Sequence, residues 1–82
     1  MQLDILTPEK KIYSGEASLV MLPGLDGLFE ILDRHAPLIA ALGSGTLKYQ
    51  SDKQTVYLTV SGGFVECLNN KVVVLAEKAE LV

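Results

Sequence analysis

The chain has 82 residues, 49% of them hydrophobic, and a net charge of −3 with one arginine and one cysteine. This length predicts one domain spanning residues 1–82, and the charge excludes a basic nucleic-acid-binding surface. One cysteine excludes an internal disulfide and a thiolate metal site. The sequence has no apolar run of about 20 residues that could span a bilayer and no signal peptide at its start, so we expect a cytoplasmic compartment.

Short apolar runs separated by turn residues dominate the chain, a pattern typical of an all-β sandwich or barrel. The pattern predicts these strands in chain order: Leu3–Thr7, Lys11–Ser14, Ala17–Pro23, Leu28–Leu32, Leu47–Gln50, Thr55–Ser61, Phe64–Leu68 and Lys71–Ala76. Side chains alternate between apolar and polar along Leu47–Gln50 and Thr55–Ser61, as in strands with one buried face.

Glycine, proline and asparagine mark the connections between these strands. We expect a bend or bulge at Gly15, a loop over Pro23–Gly27 and a turn at Gly43–Gly45. Gly62-Gly63 predicts a sharp bend. Asn69-Asn70 predicts a tight hairpin, because asparagine tolerates positive φ.

The segment Ile31–Leu42 is the one stretch where the apolar spacing could suit a helix. Pro37 lies in its middle and lacks a backbone N–H, which makes a regular helix unfavourable there. We therefore expect a turn over Asp33–Pro37.

The sequence offers little catalytic chemistry. His35 is the only histidine and has no cluster of cysteines with which to form a metal site, so we expect it to be a hydrogen-bonded turn residue rather than the centre of a metal or acyl-transfer enzyme. Cys67 lies in an apolar run and is expected to be a buried core residue. Gly43–Thr46 lacks the lysine of a phosphate-binding loop.

One non-enzymatic alternative concerns Lys53, which follows Ser51-Asp52 at a presumed hairpin tip. Small β-sandwich carrier domains attach lipoate or biotin to a lysine in such a place. Those domains also have a quasi-twofold symmetry that this sequence does not show. A solvated turn is the favoured interpretation of Lys53, and the carrier domain stays as the alternative.

The loop Leu22–Phe29, followed by His35–Ile39, resembles the signature of the epsilon subunits of F-type ATP synthases, called delta in mitochondria. The resemblance covers essentially the whole chain. Further segments similar to that family follow in the same order: Leu3–Glu9, Ile12–Gly15, Ala41–Gly45, Ser61–Glu66 and Val72–Ala79.

The resemblance implies a flattened β-sandwich or barrel of about ten short, mostly antiparallel strands. Family members continue into a C-terminal helical hairpin, and this sequence stops at Leu81-Val82, where the hairpin would begin. The sequence is either a naturally short form or a trimmed one, and in this form, without the hairpin, we expect no inhibition of ATP hydrolysis through it.

The resemblance also implies a non-catalytic role in the central stalk, without a cofactor. The protein would link the gamma subunit to the membrane-embedded c-ring and help to couple ion translocation to ATP synthesis. It would be a peripheral protein on the cytoplasmic side of the bacterial inner membrane. The positions expected to face gamma are Thr7, His35, Ala36, Pro37, Leu38 and Ala40.

The positions expected to face the c-ring are Leu25, Asp26, Gly27, Leu28 and Glu30. Here the sequence departs from the family twice. Family members often have an acidic residue where Leu28 stands and a glycine where Glu30 stands. An acid in this loop could pair with the basic loop of the c subunit, so we expect Asp26 or Glu30 to supply the negative charge.

Overall fold

A computed structural model describes residues 1–82 and contains seven strands, with no helix that could cross a membrane. The strands are β1 (Gln2–Leu6), β2 (Lys11–Glu16), β3 (Leu19–Gly24), β4 (Gly27–Leu32), β5 (Leu38–Gln50), β6 (Thr55–Leu68) and β7 (Lys71–Leu81). They pair in the order β2-β1-β7-β6-β5-β3-β4. All pairs are antiparallel except β1 with β7. The predicted all-β, mostly antiparallel class is confirmed.

Three long strands bend so that the sheet folds over on itself. In β6 the buried side chains are at even positions before the bend, as with Leu58 and Val60, and at odd positions after it, as with Val65 and Cys67. The strands β5 and β7 change in the same way. Each bend shifts the alternation by one residue, as a β-bulge does, and keeps the core side chains on the inside.

We call the two halves layer one and layer two. Layer one contains β2, β1, the start of β7, the end of β6 and the start of β5. Layer two contains the remaining parts of β5, β6 and β7 together with β3 and β4. The predicted sandwich is confirmed. The expected ten short strands are instead seven, because the bent strands each contribute a segment to both layers.

The core lies between the layers and is entirely apolar apart from the Tyr49 hydroxyl and the Cys67 thiol. Alternation along each strand directs every second side chain into it. It consists of Met1, Leu3, Ile5, Ala17, Val20, Leu22, Ile31, Leu42, Leu47, Tyr49, Leu58, Val60, Val65, Cys67, Val72, Val74 and Ala76. The prediction that Cys67 is a buried core residue is confirmed, and burial raises the pKa of its thiol.

The hairpin at Asn69-Asn70 is confirmed. Both asparagines have positive φ, 52° and 61°, which fits a two-residue turn between β6 and β7. The bend at Gly62-Gly63 is also confirmed, because both glycines have positive φ and lie where β6 changes layers. A Cβ at Gly63 would overlap the Leu75 carbonyl oxygen, so the two strands approach here as only glycine permits.

Other predicted boundaries were wrong. Gly43–Gly45 is not a turn, because β5 runs through it as it passes between the layers. Gly15 lies inside β2, and the chain turns after Glu16 instead. The loop over Pro23–Gly27 shrinks to a two-residue turn, since Gly24 pairs with Gly27.

The region around Pro37 contains no helix, as expected. The prediction missed the strand that starts at Leu38, and it ended the last strand at Ala76 although β7 continues to Leu81. Both errors arose at bends, where the change of alternation conceals a continuous strand.

Candidate apolar interface

The outer surface of layer one carries large apolar side chains on neighbouring strands. Phe64 on β6 lies opposite Leu75 on β7 and Ala41 on β5, so their side chains share this surface. Ile39 lies two residues from Ala41 along β5. The exposed fraction is 73% for Ile39, 59% for Phe64 and 52% for Leu75.

The turn between β3 and β4 extends this surface. The backbone N–H of Leu25 donates a 3.2 Å hydrogen bond to the carbonyl oxygen of Ala41, which fixes the turn beside β5. The Leu25 side chain is 70% exposed. We call Leu25, Ile39, Phe64 and Leu75 the apolar face. Contiguous apolar surface of this kind marks an interaction site more often than single exposed residues do.

Charged and polar groups border the apolar face, with Glu66 on β6 opposite Ile39 and a second group on the β1 side. The Ser14 hydroxyl donates a 2.6 Å hydrogen bond to a carboxylate oxygen of Asp4, and the Lys71 ammonium lies 4.0 Å from the other oxygen. These contacts, the Ser14 hydrogen bond above all, lower the pKa of the Asp4 carboxyl although partial burial opposes the change. A charged rim around an apolar centre is the usual organisation of a protein interface.

The five residues predicted to face the c-ring lie in one hairpin. Leu25 and Asp26 form its two-residue turn, Gly27 follows with a φ of 126°, and Leu28 is 68% exposed. Glu30 is exposed two residues further along β4, on the outer surface of layer two. The first four residues therefore lie together at the exposed turn end of the β3–β4 hairpin, and Glu30 lies beside them on β4.

The residues predicted to face gamma are more dispersed. His35, Ala36 and Pro37 are exposed in the turn before β5. Leu38 and Ala40 are half-buried and pack against the core, while Ile39 between them points outward.

Thr7 lies after β1, where it lines a shallow depression together with Phe64 and Leu75. Its hydroxyl accepts hydrogen bonds of 3.3 Å from the backbone N–H groups of Glu9 and Lys10, and this fixes the following turn. Thr7 therefore lies at the edge of the apolar face.

Ile39, Phe64 and Leu75 were not predicted as interface residues from the sequence. For Ile39, a signal was present in the sequence. A strand from Leu38 to Leu42 with Leu42 in the core would put Ile39 on the outer surface. Predicting Phe64 and Leu75 as exposed interface residues additionally requires knowledge of how β6 pairs with β7 and of which face of each strand is buried by the other layer.

Hydrogen bonds hold the turn that contains His35. The Arg34 N–H donates to the side-chain oxygen of Asn70 at 2.7 Å, and the His35 N–H donates to the Leu32 carbonyl at 3.1 Å. The His35 ring Nδ1 lies 2.7 Å from the Ala36 carbonyl oxygen. Because a carbonyl oxygen only accepts, Nδ1 carries the proton. The expectation that His35 is a hydrogen-bonded turn residue is confirmed.

An ion pair ties this turn to β2. The Met1 ammonium donates hydrogen bonds to the carboxylates of Asp33 at 2.9 Å and Glu16 at 3.0 Å. Burial alone would lower the pKa of the ammonium, but these two carboxylates outweigh it and raise that pKa. The same ammonium hydrogen bond lowers the pKa of Asp33.

The remaining candidate groups are dispersed. No three His, Cys, Asp or Glu side chains lie close enough together to hold a metal ion. Lys53 is exposed in the turn between β5 and β6, where its backbone N–H donates a 3.4 Å hydrogen bond to the Ser51 hydroxyl. The structure thus places Lys53 at a hairpin tip, as the sequence predicted.

Comparison with known proteins identifies relatives of the chain. The family model "ATP synthase, Delta/Epsilon chain, beta-sandwich domain" matches residues 1–82. A protein called ATP synthase epsilon chain from Desulforamulus reducens is 49% identical over 79 residues, which are 96% of this chain and 60% of that protein. One of the same name from Chlorobium limicola is 49% identical over 77 residues, 93% of this chain and 88% of that protein.

Solved structures share the fold. A chain in the cryo-EM structure of the Euglena gracilis mitochondrial ATP synthase (OSCP/F1/c-ring) has a TM-score of 0.90 at 17% identity, covering 96% of this chain and 51% of that one. Another, in the Tetrahymena thermophila mitochondrial ATP synthase central stalk/c-ring, has a TM-score of 0.85 at 16% identity, covering 98% and 65%. The family match leaves no support for a carrier domain modified at Lys53. The chain belongs to the family of ATP synthase delta/epsilon β-sandwich domains.

Proposed function

We propose that residues 1–82 act as one non-catalytic, epsilon-type domain in the rotor of an F-type ATP synthase. In this proposal the apolar face binds the gamma subunit, and the hairpin from Leu25 to Leu28 faces the c-ring. Membership of the family supports the assignment to this complex. The main support for assigning gamma to the apolar face and the c-ring to the hairpin is the position of Leu25, where the two surfaces meet.

The apolar face suits a long-lived contact. Burying a side chain the size of leucine or phenylalanine contributes about 1.5–3 kcal/mol, so Ile39, Phe64 and Leu75 can supply much of a stable interface. Phe64 lies between Ala41 and Leu75 and is the expected centre of the contact. The exposed turn residues His35, Ala36 and Pro37, together with Thr7, would lie at the margin of the gamma contact.

The hairpin suits a polar contact at the other end. Asp26 at its tip and Glu30 on its flank are exposed carboxylates, which can pair with a basic loop of the c subunit. Apolar contacts from Leu25 and Leu28 would add to these pairs. The domain itself would lie outside the membrane on the cytoplasmic side and reach the membrane only through the complex.

The fold gives this role a mechanical basis. Three strands run through both layers around a closely packed apolar core, so a load applied to one layer passes directly into the other. A domain of this kind would couple gamma to the c-ring, and thereby ion translocation to ATP synthesis, without forming or breaking covalent bonds and without a cofactor.

Capture of the chain by purified gamma subunit tests the proposal. Phe64→Asp is expected to weaken binding at least about 100-fold, because a carboxylate would be desolvated at the centre of the contact. Tyr57→Asp is the matched control, since Tyr57 is a similarly exposed aromatic residue on the same strand in layer two. Equal affinities for the two variants, both folded by circular dichroism, would contradict the proposed face.

A second arm of this experiment tests the hairpin in the assembled rotor. Reversing the charge with Asp26→Lys is expected to reduce the c-ring recovered with the gamma complex while gamma binding stays unchanged. Asp52→Lys, in the exposed turn between β5 and β6, is the control. A loss of gamma binding by Asp26→Lys alone would assign the hairpin to gamma instead.

A further inference from the structure

A groove crosses the outer surface of layer two, between the β3–β4 hairpin and β5. Its volume is about 430 Å³, within the range of sites for small molecules. We call it the Lys48 groove. The side chains that determine its polarity and charge are those of Met21, Pro23, Leu28, Thr46, Lys48 and Tyr57.

The groove exists because glycines interrupt the outer surface. Gly24, Gly27 and Gly45 all line it and contribute no side chain. Pro23 forms the floor, since a Cβ at Gly45 would lie only 2.9 Å from the Pro23 Cβ. Leu28, opposite Pro23 in the strand pairing, forms an apolar wall at one end.

Lys48 sets the charge of the groove. Of the seven lysine and arginine side chains, it alone is half-buried, while the other six are exposed. It lies directly between Met21 and Tyr57 in the strand pairing. The carboxylates that form ion pairs in the structure are those of Asp4, Glu16 and Asp33, and none of them pairs with Lys48.

The neighbouring acid does not neutralise this cation. Glu30 is in the same row of side chains but two strands away from Lys48, with Met21 between them, which puts their backbones about 10 Å apart. An ammonium group without a carboxylate partner gains from any anion that can enter beside it. The Thr46 and Tyr57 hydroxyls line the same groove and can donate to that anion.

We infer that the Lys48 groove binds a small, free amphiphilic anion, a medium-chain carboxylate or alkyl phosphate. Its head group contacts the Lys48 ammonium, and its tail lies over Pro23 toward Leu28. Leu28 on β4 lies two strand spacings across and two residues along from Lys48 on β5, about 12 Å between the backbones, which a tail of about eight carbons and its head group can span together. That length is shorter than the chains of membrane lipids. The site lies in the opposite layer from the apolar face, but it shares Leu28 with the hairpin proposed to face the c-ring, so its test uses the 82-residue chain without the other rotor subunits.

Titration of the isotope-labelled 82-residue chain with octanoate, followed by amide NMR shifts, tests this inference. Saturable shifts are expected at Met21, Thr46, Lys48 and Tyr57, with none at Phe64 or Leu75. Octanamide has the same tail without the charge and is expected to bind at least about tenfold more weakly, because it loses the charge-assisted hydrogen bond. Equal affinities for octanoate and octanamide would overturn the inference.

Variants separate the role of Lys48 from general charge attraction. Lys48→Met replaces the unbranched stem of lysine by one of similar size without the charge and is expected to weaken octanoate binding about tenfold. Lys53→Met makes the same charge change in the exposed turn that follows β5 and is expected to leave the affinity unchanged. Equal losses in both variants, or shifts centred on the apolar face, would overturn the inference. The NMR spectrum of each variant shows directly whether it is folded.

A further arm distinguishes the source of the anion. Vesicles of phosphatidylglycerol are expected not to compete with octanoate, because their head groups are held at a bilayer surface and their chains exceed the groove. Binding to these vesicles through Lys48 without any response to free octanoate would overturn the assignment to a free ligand.

Discussion

The two layers of the sandwich expose different chemistry although β5, β6 and β7 contribute to both. Layer one presents the apolar face, and layer two presents Thr46, Lys48, Tyr57 and Thr59 on the same strands. In β6 the outward side chains are at odd positions before Gly62-Gly63 and at even positions after it. A strand in this fold therefore has two outer surfaces, and the position of the bend determines which residues belong to each.

The largest expected effect concerns the bend itself. Gly63→Ala is expected to lower the free energy of unfolding by about 3 kcal/mol or more, because its Cβ would overlap the Leu75 carbonyl oxygen at a positive φ. Gly27→Ala also places alanine at a positive φ but meets no atom within 4 Å, so about 1–2 kcal/mol is expected. Urea denaturation measures both. Similar losses would show that close approach at the bend is unimportant.

The next effect separates the outward from the inward side of β5. Ile39→Asp is expected to weaken capture by gamma about 100-fold with little change in stability, because Ile39 is on the apolar face. Ala40→Asp is expected to cost about 2 kcal/mol of folding free energy instead, because its carboxylate would be forced against the core. Thermal melts and gamma capture distinguish the two. If Ala40→Asp kept full stability but lost binding, Ala40 itself would belong to the interface.

The smallest effect tests the rim of layer one through its pH dependence. The pKa of Asp4 is lowered in the folded chain, so its contribution to stability is complete above the unfolded pKa of about 3.9 and is lost as the pH falls through the folded value. Ser14→Ala removes the main cause and is expected to cost less than about 1 kcal/mol at pH 7, and progressively less as the pH falls through the folded pKa of Asp4. Ser18→Ala, whose hydroxyl contacts the Gln50 carbonyl, is the control. A loss that did not depend on pH would rule out Asp4 as its origin.

Much of the fold could be predicted from local sequence. Alternation in Thr55–Ser61 and the turn chemistry of Asn69-Asn70 act over a few residues, and both predictions were confirmed. The bends could not be located as well, because glycines in Gly43–Gly45 look like a turn when the pairing partners are unknown. Strand order is non-local and had to come from the structure.

The candidate site was harder to predict from the sequence than the fold. Local turn chemistry predicted a loop over Pro23–Gly27, and the family resemblance, not that chemistry, assigned Leu25–Leu28 to the c-ring. The apolar face combines residues from three strands and a turn, so it emerges only from the register that puts Phe64 opposite Leu75. The sequence did not predict the half-buried position of Lys48, because that position depends on pairing with Met21 on β3 and Tyr57 on β6.

The parallel pairing of β1 with β7 has a consequence for folding kinetics. Leu3 pairs with Val72, so the first strand meets its central neighbour only after almost the whole chain has been synthesised. Such distant pairing slows the search for the native state, and all-β domains of this kind typically fold in milliseconds to seconds. During synthesis on the ribosome, β1 and β2 could form only an isolated, marginally stable hairpin until β7 leaves the exit tunnel.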